Sequence, residues 1–271
     1  MKKNKRVLAI AGIIVLLVIF CLPMVFAFGG SETSQALFRG AFGAAILIPV
    51  MAYIFIMAYR IFGKKEKKAE GKIQNIIFDV GNVLVHFDWQ TYLKSFGFPK
   101  EEYDKIAKAS FGNSVWNERD RGTLPEEAYV QEFVNAAPEY EADIREVMRR
   151  TPECISIMDY AETWVKYLKD KGYHLYILSN YSHYMLEANR SMMSFLPYMD
   201  GVVFSCDVEM IKPEPEIYQY ILEQYSLDPS ETVFLDDRKE NCQGAEKQGI
   251  HAIQFQSFKQ AAAELEKLGV K

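Results

Sequence analysis

Four stretches far apart in the sequence end short apolar runs with residues able to do polar chemistry. The run Ile73 to Asp79 closes on an acid, Tyr173 to Ser179 on a hydroxyl followed by Asn180, and Thr232 to Asp236 on an acid followed by Asp237. Lys212 follows the run Gly201 to Phe204, within Ile211-Lys212-Pro213-Glu214-Pro215. A carboxylate can act as nucleophile or as hard oxygen ligand to a cation, a hydroxyl and an amide can donate to anionic oxygens, and a lysine can neutralise developing charge. Taken singly, each has an ordinary explanation: a helix cap, a turn, a solvated loop lysine. Capping does not require an acid, a hydroxyl, a lysine and an acid pair at successive strand ends, so the set is read together.

The elements that must position this set follow from the pattern beyond Lys72. Short runs rich in Ile, Val, Leu, Phe and Tyr, buried on both faces, alternate with amphipathic helices, which is the signature of a parallel sheet covered by helices. The strands expected are Ile73 to Asp79, Tyr173 to Ser179, Gly201 to Phe204, Thr232 to Asp236 and His251 to Phe255. A helix is expected over Ile157 to Lys169, with Ile157, Ala161, Trp164 and Leu168 on one side. The interval 89–154 is too long for a simple crossover and carries only helical patterns, so it is an inserted helical domain, cut by Gly112, Gly122, Pro125 and Pro138 into four short helices. In such sheets the catalytic groups gather at the carboxyl ends of the strands.

The first 72 residues read differently. Val7 to Phe28 and Ala41 to Phe62 are apolar runs of 22 residues each, long enough to cross a hydrocarbon core of about 30 Å. Lysines and arginines before the first run and after the second place both ends on the cytoplasmic side of a helical hairpin, with membrane lipid as a partner. Val25-Phe26-Ala27 also fits a signal-peptide cleavage site, but the run exceeds the usual apolar length of such signals, roughly 7 to 15 residues. Residues 1–72 carry 11 Lys and Arg against 3 Asp and Glu, leaving 20 against 33, or −13, for the remainder. That acidic balance argues against nucleic acid as a partner. Cys21, Cys154, Cys206 and Cys242 are scattered and imply neither a zinc site nor a disulfide framework.

With Asp79-Val80-Gly81-Asn82-Val83-Leu84, Ser179-Asn180, Lys212 and Asp236-Asp237 in this order, residues 73–271 resemble the haloacid dehalogenase superfamily. Arg121-Gly122, Lys212-Pro213-Glu214 and Asn241 further resemble the branch that includes bacterial sugar-1-phosphate phosphatases. The resemblance implies an α/β, Rossmann-like doubly wound parallel sheet, formed by residues 73–88 and 155–271, with a helical cap inserted at 89–154. It implies Asp79 as nucleophile in an aspartyl-phosphate mechanism and Mg²⁺ held by Asp79, the carbonyl of Gly81 and Asp237. Ser179, Asn180 and the N–H of Asn82 would bind phosphoryl oxygens, Lys212 would bind phosphate and restrain Asp79, and Asp236 and Asn241 would support. The substrate implied is a small phosphorylated metabolite, such as a sugar phosphate, with specificity set in the cap, where side chains from Phe111 to Leu124 are expected to overhang the site.

One departure from the family pattern stands out. Most phosphatases of the superfamily carry a second Asp two residues after the nucleophile as general acid and base, and here that position is Gly81. Without it the enzyme turns over slowly, depends on good leaving groups, or borrows an acid, with Glu118, Asp120 and His86 as candidates. Two other readings stay open: a non-catalytic phosphometabolite sensor or scaffold at the membrane, and a metal-independent 2-haloacid dehalogenase, against which the pair Asp236-Asp237 argues.

Overall fold

The computed structural model describes residues 72–271. The spans expected at 7–28 and 41–62 lie outside these residues. The integral-membrane placement is overturned on what is described: among the described residues no helix is long and apolar enough to cross a membrane.

In chain order the strands are β1 (Asn75–Phe78), β2 (Val85–Phe87), β3 (Ile155–Ile157), β4 (His174–Ser179), β5 (Gly201–Phe204), β6 (Thr232–Asp236) and β7 (His251–Gln254). Five of them form a parallel sheet in the order β5-β4-β1-β6-β7. From β1 the chain steps outward through β4 and β5, then returns to the other side of β1 for β6 and β7. The reversal beside β1 is a switch point, where an open α/β sheet leaves a crevice at its carboxyl edge. Register sets what meets there. Phe78 lies opposite Leu235 in β6 and Ile177 in β4. Asp79 therefore leaves the sheet level with Asp236, and Ser179 lies one residue further on than the level of Asp79.

The period of two along each strand divides the core into two layers. Ile76, Phe78, Val233, Leu235, Leu175 and Ile177 pack on one face with Trp164, Val165 and Leu168 of a helix that follows β3. Ile77, Tyr176, Leu178 and Phe234 pack on the other with Ile217, Tyr218 and Ile221.

Between β2 and β3 lie α1 (Trp89–Lys94), α2 (Lys100–Ala109), α3 (Val115–Arg121), α4 (Glu126–Ala136) and α5 (Glu141–Arg149). Five α-helices stand where four were expected, because Pro99 opens a separate α2 after the single short turn of α1. The insertion leaves and rejoins the sheet through an antiparallel pair, Val85 opposite Ile157 and Phe87 opposite Ile155. Ile157 thus sits in a strand, not in the helix expected from 157. That helix, α6 (Ala161–Asp170), starts later and buries Ala161, Trp164, Val165 and Leu168. The remaining helices are α7 (His183–Asn189), α8 (Ser205–Val208), α9 (Pro215–Gln224), α10 (Lys239–Lys247) and α11 (Phe258–Lys267).

Candidate active site

The carboxyl edge of the sheet is organised around one buried lysine. Lys212, 2% exposed, donates from Nζ to Asp79 Oδ1 at 2.8 Å and to Asp236 Oδ2 at 2.7 Å. The same ammonium lies 5.2 Å from the centre of the Phe234 ring. Asp236 is fully occupied: Asn241 Nδ2 donates to both of its oxygens at 3.0 Å, and the N–H of Arg238 donates to Oδ1 at 2.8 Å. Asp236 and Asn241 therefore hold the lysine, which in turn holds Asp79. A buried carboxylate with this many donors is satisfied; removing its lysine would leave it charged in an apolar setting.

Asn180, expected to meet phosphate, has both ends of its side chain on the backbone of Lys212. Its Nδ2 donates to the Lys212 carbonyl at 3.0 Å, and its Oδ1 accepts from the Lys212 N–H at 2.8 Å. The side chain of Asn180 thus clamps the backbone of Lys212 with one N–H of Nδ2 left over, and the residue lines the cavity. Ser179 ends β4 beside it and is buried. Asn82 takes the left-handed conformation, φ 54°, which asparagine tolerates better than most residues. Its side chain accepts from the N–H of Phe87 at 3.2 Å and donates from Nδ2 to Asp237 Oδ2 at 3.0 Å. The turn after β1 is thereby tied to the second acid of the pair.

Gly81 lines the same cavity, and a Cβ placed on it would meet no atom within 4 Å. The floor beside Asp79 is open space. The cavity, about 540 Å³, is lined by Asp79, Gly81, Asp237, Lys212 and Arg238 at its base, and by Phe87, Trp89, Phe111 and Trp116 on the side of the insertion. Trp89 stacks on Phe111 with ring centres 4.8 Å apart, and Phe111 lies 5.1 Å from Trp116. Arg238, Phe87 and Trp89 went unread in the sequence, whereas Phe111 and Trp116 belong to the stretch Phe111 to Leu124 expected to overhang the site. Arg238 directly follows the acid pair, and that adjacency was the available signal.

Of the three acids considered as stand-ins at Gly81, the fold admits one. His86 is exposed on β2. Glu118 is exposed and paired with Arg121 at 3.1 Å. Asp120 is buried and lines the cavity. Its helix is pinned on both sides. Arg119 turns into the insertion, where its guanidinium forms a bidentate pair with Glu126, Nη2 to Oε1 at 2.7 Å and Nε to Oε2 at 3.1 Å, and lies 5.0 Å from the Trp116 ring centre. Arg121 grips Glu214 at 2.7 and 2.8 Å, two residues beyond Lys212. The carbonyl of Asp120 accepts from Ser205 Oγ at 2.5 Å. Gly122 ends the helix at φ +80°, and a Cβ there would lie 2.9 Å from Cys206 Cβ, so only glycine permits this approach to α8.

Charge at the base is unbalanced. Burial pushes the Asp79 carboxyl up to about 6, against the pull of Lys212 and with the push of Asp236 and Asp237. Burial also raises Asp237, partly offset by the hydrogen bond from Asn82. Burial works to lower Lys212, but Asp236 and Asp79 hold it above the ordinary lysine value. Asp120 is pushed up to about 7 by burial, with Arg119 opposing and Asp79 adding. Carboxylate oxygens of Asp79, Asp236 and Asp237 all fall within 4.8 Å of one another. Three acids around one lysine leave surplus negative charge on hard oxygens, a donor set that fits a divalent cation. Since Asp236 is saturated by protein donors, Asp79 and Asp237 are the members with capacity to spare.

The comparisons with known proteins agree with this architecture. The chain is 25% identical over 197 residues to a sesquiterpene phosphatase of Aspergillus oryzae, covering 71% of this chain and 94% of that one. It is 22% identical over 201 residues to a D-ribitol-5-phosphate phosphatase of Bacteroides thetaiotaomicron, covering 67% and 91%. Of two longer curated relatives, matched over 108 and 107 residues, it spans only 10% and 19% of the length. Among solved structures, a haloacid dehalogenase family enzyme of Bacteroides thetaiotaomicron, in complex with magnesium and inorganic phosphate, superposes with a TM-score of 0.56 at 22% identity, covering 69% of this chain and 96% of that one. The model of the haloacid dehalogenase-like hydrolases matches residues 73–249. Strand order, the acids at the strand ends and this match over most of the chain lead to one conclusion: the protein belongs to the haloacid dehalogenase-like hydrolases.

Proposed function

We propose that the chain is a Mg²⁺-dependent phosphomonoesterase that forms an aspartyl phosphate on Asp79. The observation that carries this reading is the Lys212 bridge, 2.8 Å to Asp79 and 2.7 Å to Asp236, set among more buried carboxylate than one lysine can neutralise. Asp79 has one oxygen on the lysine and its other oxygen free to attack phosphorus. Lys212 supplies a fixed positive charge beside the phosphoryl oxygens, and Asp236 with Asn241 keeps that charge from moving. The backbone at Asn180 and Asn82 lies at the ends of β1 and β4, where phosphoryl oxygens would sit. Asp79, Asp237 and the carbonyl of Gly81 would hold Mg²⁺, which when bound neutralises the repulsion between an anionic nucleophile and an anionic ester.

The alcohol half of the substrate would rest against Phe87, Trp89, Phe111 and Trp116. Such a wall favours an alcohol with a planar or apolar face, whether an aromatic ring, an isoprenoid or the C–H face of a sugar. The phosphatase relatives, acting on a sesquiterpene and on a ribitol phosphate by their names, span that range. The full chain should hydrolyse 4-nitrophenyl phosphate with added Mg²⁺ and lose that activity to a chelator, regaining it with excess Mg²⁺. Chelator-resistant release of chloride from a 2-haloacid, with no phosphatase activity, would contradict the proposal.

A further inference from the structure

A phosphate ester of an ordinary alcohol leaves as an alkoxide, and that oxygen needs a proton as the bond to phosphorus breaks. Among the described residues, the ionisable groups that line the cavity are Asp79, Asp120, Lys212, Tyr181, Asp237 and Arg238. Asp79 is the proposed nucleophile. Lys212 is committed to Asp79 and Asp236. Asp237 accepts from Asn82, and Arg238 is paired with Glu240 at 2.6 Å. Burial drives the Tyr181 hydroxyl far above its ordinary value, out of range for proton exchange near neutrality. Asp120 is the group left over: it lines the cavity from α3, and Gly81 lines the same cavity with open space where a side chain would start.

We infer that Asp120, delivered from the inserted helices, is the general acid and base of the reaction. The inference rests on the phosphatase reading above. In the first half, an Asp79 oxygen bonds to phosphorus while the ester P–O bond breaks, and the Asp120 carboxyl gives its proton to the departing oxygen. In the second half, the Asp120 carboxylate takes a proton from water as that water's oxygen bonds to phosphorus. The bond from Asp79 to phosphorus breaks, inorganic phosphate forms, and the Asp120 acid is restored.

The surroundings suit this duty. Arg119, Arg238 and Lys212 favour the charged form, while burial and Asp79 oppose it, and the balance leaves the carboxyl near 7. The Cys206 thiol is pushed up to about 12, with Asp207 and Asp120 both contributing after burial. The helix that presents Asp120 is fixed by Arg119 to Glu126 and by Arg121 to Glu214, so the acid is held at the cavity wall on two anchors. A group that titrates near neutrality can release and regain a proton in one cycle.

The test compares two esters with similar rings in the full chain. In 4-nitrophenyl phosphate the leaving oxygen is stable as an anion; in 4-nitrobenzyl phosphate it is not. Asp120→Asn should lower kcat on the benzyl ester by about 10²–10³-fold and on the phenyl ester by less than about 5-fold. Gly81→Asp, whose Cβ would meet no atom within 4 Å, added to Asp120→Asn should restore much of the benzyl-ester rate. An equal loss on both esters, or no loss on the benzyl ester, would overturn the role of Asp120 while leaving the phosphatase reading intact. Absence of turnover on both esters in the unaltered chain would overturn that reading, and this inference with it.

Discussion

Two regions meet in the cavity, and they treat charge in opposite ways. At the sheet edge every ionised group is tied. Asp236 receives Lys212, Asn241 and the Arg238 amide, and Lys212 has its ammonium on two acids and its backbone on Asn180. In the inserted helices the anchors Arg119 and Arg121 are tied just as firmly, but Asp120 between them makes no side-chain hydrogen bond to a described residue. On the proposed reading, the sheet edge holds a charge still during phosphoryl transfer and the insertion brings one proton and lets it go. Rigidity and exchange are thus assigned to different parts of the chain, and substitutions should separate them.

The largest effect belongs to the nucleophile. Asp79→Asn keeps the hydrogen-bonding shape but cannot form an acyl phosphate, so turnover of every phosphate ester should fall by at least about 10⁴-fold in steady-state assays. Next is the lysine. Lys212→Met leaves Asp79 and Asp236 buried without their cation, and urea denaturation at pH 8 should show a loss of about 3–5 kcal/mol.

Asp120 should behave in the reverse sense. Its folded-state value near 7 lies above the unfolded value of 3.8, so the folded protein resists ionising it. That penalty is absent below about pH 4, grows as the unfolded carboxyl ionises, and is complete above pH 7. Asp120→Asn should therefore stabilise the protein, by roughly 4 kcal/mol at most at pH 8 and by almost nothing at pH 3, while costing activity. A mutant less stable than the parent at pH 8 would show that the carboxylate is held, not strained. The smallest effect is expected at the rim: Arg121→Ala, losing a half-exposed pair with Glu214, should cost about 1 kcal/mol or less in denaturation.

The sequence disclosed the sheet edge far better than the insertion. Buried parallel strands read as unbroken apolar runs, so β1, β4, β5 and β6 and the acids, hydroxyl and lysine behind them stood out. β2 and β3 did not, because three residues with one exposed face carry too little pattern. The side-chain partners of Asn180 and Asn82 could not be read, since an amide's partner depends on tertiary contacts that no local pattern records. Glu118 and Asp120 looked equivalent as linear neighbours. Two positions apart on a helix they point to nearly opposite sides, and only packing decides which side meets the cavity. The stretch Phe111 to Leu124 was expected over the site, but its meeting with Trp89 was hidden for the same reason: Trp89, Phe111 and Trp116 come from α1, the α2–α3 connection and α3, and converge only in three dimensions.

The central claim is that phosphorus is captured on Asp79. Turnover of 4-nitrophenyl phosphate by the full chain, quenched in acid and followed by peptide mass spectrometry, tests it most directly. One phosphoryl group is expected on the peptide containing Asp79, lost in Asp79→Asn. Steady turnover with no such adduct, or with the phosphoryl group on another residue, would contradict it.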